Sequence, residues 1–183
     1  MPDGAGNRVM AWTFKAEMRR VATGWTMAKQ YSGDQRTMPR NARILGFLGL
    51  APQAAALLVL LMGWIAWRFA ALSLAYAYAA LIFSFLGGLW WGLAAARPDR
   101  APCWVWYAAI APSLIALVTA IPWATGLEWP GPSLIVLGAA IVLSLAVDRK
   151  LVAAQLAPAW WMRLRTPLSL GLGFLTIASG LAA

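Results

Sequence analysis

Residues 72–96 read LSLAYAYAALIFSFLGGLWWGLAAA, twenty-five residues without one Asp, Glu, Lys or Arg. A helix rises about 1.5 Å per residue, so this stretch is long enough to cross the roughly 30 Å hydrocarbon core of a bilayer. It predicts a transmembrane helix. Working outward, four more apolar runs appear. Residues 44–64 are continuous and charge-free, and residues 104–122 form a third run. A fourth has its apolar centre at 134–147 and reaches span length when it begins near Trp129, giving 130–147. The fifth covers 166–183. The chain is therefore expected to be an all-α integral membrane protein, with five transmembrane helices in residues 44–183. A polar, basic arm precedes them over residues 1–43. The first apolar run starts too late for a secretory leader, whose apolar stretch is about 7–15 residues behind a short basic segment.

Composition points the same way. Hydrophobic residues make up 62% of the 183 and charged residues 11%, against about 45–50% and about 25% in soluble domains. There is no histidine, and the one cysteine is Cys103. A Ser/His triad, an imidazole base and His-ligated zinc or haem are excluded. A lone cysteine also excludes an internal disulfide. No catalytic residue, metal site or cofactor is expected.

The net charge of +9 follows the loops. Lys and Arg outside the spans set topology. Eight lie in the arm, Arg68 alone follows span one, and Arg97 and Arg100 follow span two. None follows span three, and Arg149, Lys150, Arg163 and Arg165 follow span four. With the N-terminus inside, fourteen cations face the cytoplasm (or matrix) and one faces out. This predicts an N-in, C-out protein of the bacterial cytoplasmic membrane. Because the charge tracks the loops, and no nucleic-acid-binding motif accompanies it, nucleic acid is not an expected partner. Most of the twelve tryptophans, including Trp64, Trp67, Trp90, Trp91, Trp104, Trp106, Trp160 and Trp161, sit near span ends. They read as an interfacial belt, with stacking on a pigment or quinone as the alternative.

The span interiors contain no Asp, Glu, Lys or Arg, which argues against a proton relay or charge-coupled carrier. Neutral polar residues remain. Gln53, next to Pro52, either caps the carbonyl freed by that proline, bonds a facing helix, or contacts a neutral ligand. Together with Tyr76, Tyr78 and Trp90 it forms the candidate set for a quinone or lipid. Span two carries small residues at intervals of four, Ala80, Ser84, Gly88 and Gly92, widened by Gly87. Such a stripe lets backbones approach, within the monomer or against a partner subunit. Residues 148–165 alternate apolar and basic positions and are expected to lie as interfacial turns on the inner leaflet. Arg149, Lys150, Trp160, Trp161, Arg163 and Arg165 are the candidate contacts for anionic lipid or a partner there. In the arm, residues 10–25 have helical spacing and a basic face. Phe14, Arg19, Arg20 and Trp25 are the corresponding candidates.

These residues also carry a resemblance. LIFSFLGGLWWG (81–92) resembles the SFLGG..WG segment of a family of small uncharacterised membrane proteins. That family occurs in proteobacteria and includes the mitochondrial transmembrane-protein-69-like proteins. APS (111–113), DR (148–149) and PAWWMRLR (158–165) are similar to its later motifs, in the same order. The resemblance covers about residues 45–175 and leaves out the basic arm. It implies a five-helix inner-membrane protein and supplies no catalytic residues. Its bacterial and mitochondrial spread implies a place near bioenergetic complexes.

Two functions are therefore expected. The first is a non-catalytic accessory or assembly subunit of a larger inner-membrane complex, respiratory or photosynthetic, with other integral membrane subunits and anionic lipids as partners. The alternative is a binder or carrier of a neutral lipophile.

Overall fold

A computed structural model describes Met18, residues 38–127 and residues 130–183. Of the arm, Met18 is helical and exposed. Phe14, Arg19, Arg20, Trp25 and Trp129 lie outside the described residues. The rest is helical: α1 (Arg40–Leu48), α2 (Ala51–Leu61), α3 (Ile65–Ala95), α4 (Trp104–Ala124), α5 (Gly131–Ala153) and α6 (Trp161–Leu181). A single 3₁₀ turn, Pro98–Arg100, joins α3 to α4. No strand occurs among the described residues. Five segments are long and apolar enough to cross a membrane: Arg40–Leu61, Ile65–Ala95, Trp104–Ala124, Gly131–Ala153 and Trp161–Leu181.

The first span is two helices. Pro52 has no N–H to give the carbonyl of Leu48, so the helical ladder breaks around Gly49 and Leu50 and restarts with proline in its first turn. The Tyr78 hydroxyl donates to the carbonyl of Gly49 at this break. The α1 half contributes no buried residue to the core. It stands as an outer wall rather than a core element.

Several helices run further than hydropathy alone suggests. α3 begins at Ile65, and Arg68 lies inside it, donating through Nη2 to the carbonyl of Ala182 at 2.9 Å. At the opposite end Arg97 Nη1 donates to the carbonyl of Gln155 at 2.6 Å. These two bonds put the α2–α3 connection with the C-terminus, and the α3–α4 connection with the α5–α6 connection. The spans therefore alternate up and down.

The α5–α6 segment is shorter than the interfacial stretch expected over residues 148–165. α5 continues through Asp148 to Ala153, and α6 starts at Trp161. Only residues 154–160 connect them. α5 ends with Gln155 in the left-handed region at φ 56°. Leu156 N–H bonds the carbonyl of Leu151 and Gln155 N–H that of Val152. This is a Schellman closure, completed by burial of both Leu151 and Leu156.

Helices α5 and α6 form the most extensive pair. Glycines allow it. A Cβ on Gly138 would sit 2.7 Å from the carbonyl oxygen of Gly173, and one on Gly180 would sit 2.7 Å from that of Gly131. Close backbone approach of this kind drives association in lipid, where no hydrophobic gain separates helix from acyl chain. The core lies where α3 meets α5 and α6, around Leu72, Phe83, Trp90, Leu134, Leu137 and Leu151.

Candidate functional site

The polar centre of the bundle is Asp148, fully buried on the last turns of α5. Helix periodicity brings its partners from two other helices. Trp90, near the end of α3, donates its indole N–H to Oδ1 at 3.0 Å. Trp161, the first residue of α6, donates to the same oxygen at 2.9 Å. Arg165 lies one turn further along α6 and gives Nε to Oδ2 at 3.0 Å. Ser169 lies one turn beyond, and accepts from Arg165 Nη2 at 2.9 Å. Residues 161, 165 and 169 thus share one face of α6, the face turned to Asp148.

This is a correction to the reading of the spans as free of ionised groups. The sequence places Asp148 and Arg165 at span edges, where a loop charge and a bundle charge look alike. The structure puts both inside membrane-length helices. A buried carboxylate is tolerated only when its oxygens are occupied. Here two neutral donors and one cation occupy them. Trp90 and Trp161, expected in the lipid-facing belt, are buried and spend their N–H groups on Asp148. Arg165, expected as a cytoplasmic surface contact, has a side chain only 13% exposed.

Arg165 is not used up. A guanidinium carries five N–H donors. One on Nε goes to Asp148 and one on Nη2 goes to Ser169. The same side chain lines a groove of about 460 Å³ between α1, α3 and α6. Its walls are otherwise almost wholly apolar: Leu45, Leu50, Phe85, Leu89 and Leu168 are representative. Trp160, Trp161 and Ser169 surround the Arg165 end. The outer wall is α1, and Gly46 sets its closeness to α6. A Cβ there would meet Leu168 Cδ1 at 2.9 Å. Clefts of about 300–1,000 Å³, apolar with a few placed polar groups, are the usual form of small-ligand sites.

The four residues expected to touch a lipophile are not gathered in this groove. Gln53 is buried on α2, and neither its Nε2 nor its Oε1 has a partner, so it caps no carbonyl. The Tyr76 hydroxyl donates to the carbonyl of Ala116 at 2.6 Å and shares a bond of 2.7 Å with Thr119 Oγ1, tying α3 to α4. Its ring meets Trp123 edge-on at 5.4 Å. Tyr78 braces the break in the first span. Trp90 serves Asp148.

The small-residue stripe divides. Gly87 is buried where a Cβ would collide with the carbonyl of Ala109 and press on Pro112 of α4. Gly88 and Gly92 are exposed, with nothing within 4 Å of a Cβ. Ala80 and Ser84 are half-buried. Arg149, Lys150 and Arg163 are exposed, Lys150 lying 5.8 Å above the Trp104 ring, and Trp160 is half-buried. Among the described residues no group of His, Cys, Asp and Glu has the clustering a metal needs.

The groove and the residues behind Arg165 were missed in the sequence. One signal was available: Trp161, Arg165 and Ser169 recur at intervals of four, opposite the only acid near that end of α5.

The family model described as "Protein of unknown function (DUF3429)" matches residues 38–181. No curated protein and no solved structure matches the chain.

Proposed function

We propose, for a chain that belongs to the DUF3429 family of proteins of unknown function, that it binds a membrane lipophile in the groove between α1, α3 and α6. The observation that carries this reading is the joining of an apolar groove to spare Arg165 donors at one end. The buried Asp148 cluster supports it, because it fixes Arg165 before any ligand arrives. A preorganised donor loses little side-chain freedom on binding. The reading needs no catalytic residue, and none is assigned.

The location we propose is a bacterial cytoplasmic membrane, with the N-terminus and the α3–α4 and α5–α6 connections inside. The distribution of Lys and Arg supports it. Kinship with mitochondrial transmembrane-protein-69-like proteins is proposed on the 81–92 segment and the motifs that follow it.

A second reading, an accessory or assembly subunit of a bioenergetic membrane complex, is favoured by one observation. Gly88 and Gly92 present a smooth outward face on α3. The two readings are compatible, and neither depends on the other.

Purification of the full chain from its own membranes, followed by mass spectrometry of extracted lipophiles, tests the first reading. A lipophile retained at about one per chain, and lost in Gly46→Leu, is expected. Equal retention by both chains would sink it.

A further inference from the structure

The groove has a chemically distinct end, and its charge selects among lipophiles. α1 and α6 run side by side along it: Gly46 faces Leu164 and Leu168, and Gly171 faces Leu50. The starts of both helices therefore lie at the same end. That end carries Arg40 and Arg43 on α1, and Arg163 and Arg165 on α6. The first three are exposed. Arg165 lies further in, lining the groove itself.

Among the described residues two acids lie at this end: Asp99, exposed in the α3–α4 connection and not part of the groove lining, and Asp148, which is buried behind Arg165 and already accepts three N–H bonds. Asp148 offers nothing to a cationic headgroup. Two of its three donors are neutral indoles, which stabilise the carboxylate without requiring the whole of the guanidinium. Arg165, which lines the groove, consequently keeps three N–H donors, two on Nη1 and one on Nη2, without a partner among the described residues. A guanidinium with parallel N–H groups suits the paired oxygens of a phosphate.

We propose that the occupant is an anionic phospholipid. Its phosphate accepts from Arg165 at the groove's polar end, and an acyl chain lies along Leu45, Leu50, Phe85 and Leu168. This rests on the lipophile-binding reading above and adds the headgroup to it. Zwitterionic lipids place a cation where Arg40, Arg43 and Arg163 already stand. A neutral quinone brings no negative charge to this end, where Asp148 balances Arg165 and leaves Arg40, Arg43 and Arg163 exposed and cationic. Acidic phospholipids meet both conditions.

The test is native mass spectrometry of the full chain in mild detergent, titrated with phosphatidylglycerol and, separately, phosphatidylcholine of matched acyl chains. Four proteins are compared: wild type, Arg165→Gln, Arg163→Gln and Gly46→Leu. Wild type is expected to bind phosphatidylglycerol the more tightly. Arg165→Gln should lower that affinity by about tenfold or more, as loss of a charge-assisted contact implies. Arg163→Gln removes the same charge from the exposed surface and should change it by less than about threefold. Equal affinity of the wild type for the two lipids overturns the headgroup assignment. So does an equal fall in the two arginine variants, which would place the phosphate on the outer surface. If Arg165→Gln does not fold, the two-lipid comparison on wild type and Arg163→Gln still decides. Gly46→Leu separates this proposal from the reading beneath it. Loss of both lipids there keeps the groove as the site whatever the headgroup, and unchanged binding of both removes the groove altogether.

Discussion

At the scale of single residues, Asp148 organises the polar interior. One carboxylate joins α3, α5 and α6 through Trp90, Trp161 and Arg165. Removing one partner of a buried ion pair typically costs about 3–5 kcal/mol, because the other charge stays buried and unpaired. Asp148→Ala is therefore expected to be strongly destabilised in detergent, as read by thermal unfolding. Asp148→Asn keeps an oxygen for the two indoles and should lose distinctly less. Equal stability of Asp148→Ala and wild type would mean that the cluster contributes nothing to the fold. This cluster was the least legible part of the sequence. A charge at the edge of an apolar run is assigned to a loop or to the bundle only once the helix ends are known. Those ends depend on tertiary contacts that hydropathy does not contain. Trp90 and Trp161 look like belt residues in the sequence for the same reason: nearness to a span end is compatible with facing lipid or facing the core.

At the scale of the elements, glycine position decides which helices touch. Gly138→Ala would drive a Cβ to 2.7 Å from the Gly173 carbonyl and force α5 from α6. Overpacking of this kind costs about 1–3 kcal/mol. Gly88→Ala meets nothing within 4 Å and should leave the melting temperature of the isolated chain unchanged. A comparison of the two variants by thermal unfolding checks the assignment, and a loss in Gly88→Ala alone would reverse it. The sequence drew attention to the regular stripe on α3, because a four-residue interval is visible by eye. The glycines that close the α5–α6 pair stand seven apart on each helix, at 131 and 138 and at 173 and 180. Their meaning appears only when the two helices are laid side by side. The end of α5 allows a further check. Gln155 holds a left-handed conformation that costs a non-glycine residue about 1–2 kcal/mol. Gln155→Gly should be neutral or stabilising by up to about 1 kcal/mol, while Gln155→Val, β-branched at the same φ, should be destabilising.

At the scale of the whole molecule, five spans were legible because each apolar run is long and is bounded by charge, proline or glycine. The break in the first span was legible only as Pro52. The wall that α1 forms, and the groove behind it, follow from how that break is braced by Tyr78, which a one-dimensional reading does not show. The proposed orientation has a direct check in Cys103, the chain's one thiol, exposed at the start of α4. A membrane-impermeant maleimide should leave it unlabelled in intact spheroplasts and label it after permeabilisation. A cysteine placed at Thr125 in a Cys103→Ser background, at the other end of α4, should show the reverse. Labelling of Cys103 in intact spheroplasts would invert the topology.

The central claim is that the groove between α1, α3 and α6 holds a lipophile, and photo-crosslinking tests it most directly. A phospholipid carrying a diazirine on its acyl chain is incorporated with the full chain, irradiated, and the adducts are mapped by peptide mass spectrometry. The account predicts adducts concentrated on the facing walls, around residues 45–50 at the end of α1 and the break after it and 164–172 of α6, and strongly reduced in Gly46→Leu. Adducts spread evenly over the exposed apolar faces, with Leu114, Leu117 and Val118 of α4 labelled as heavily as the groove, would contradict it.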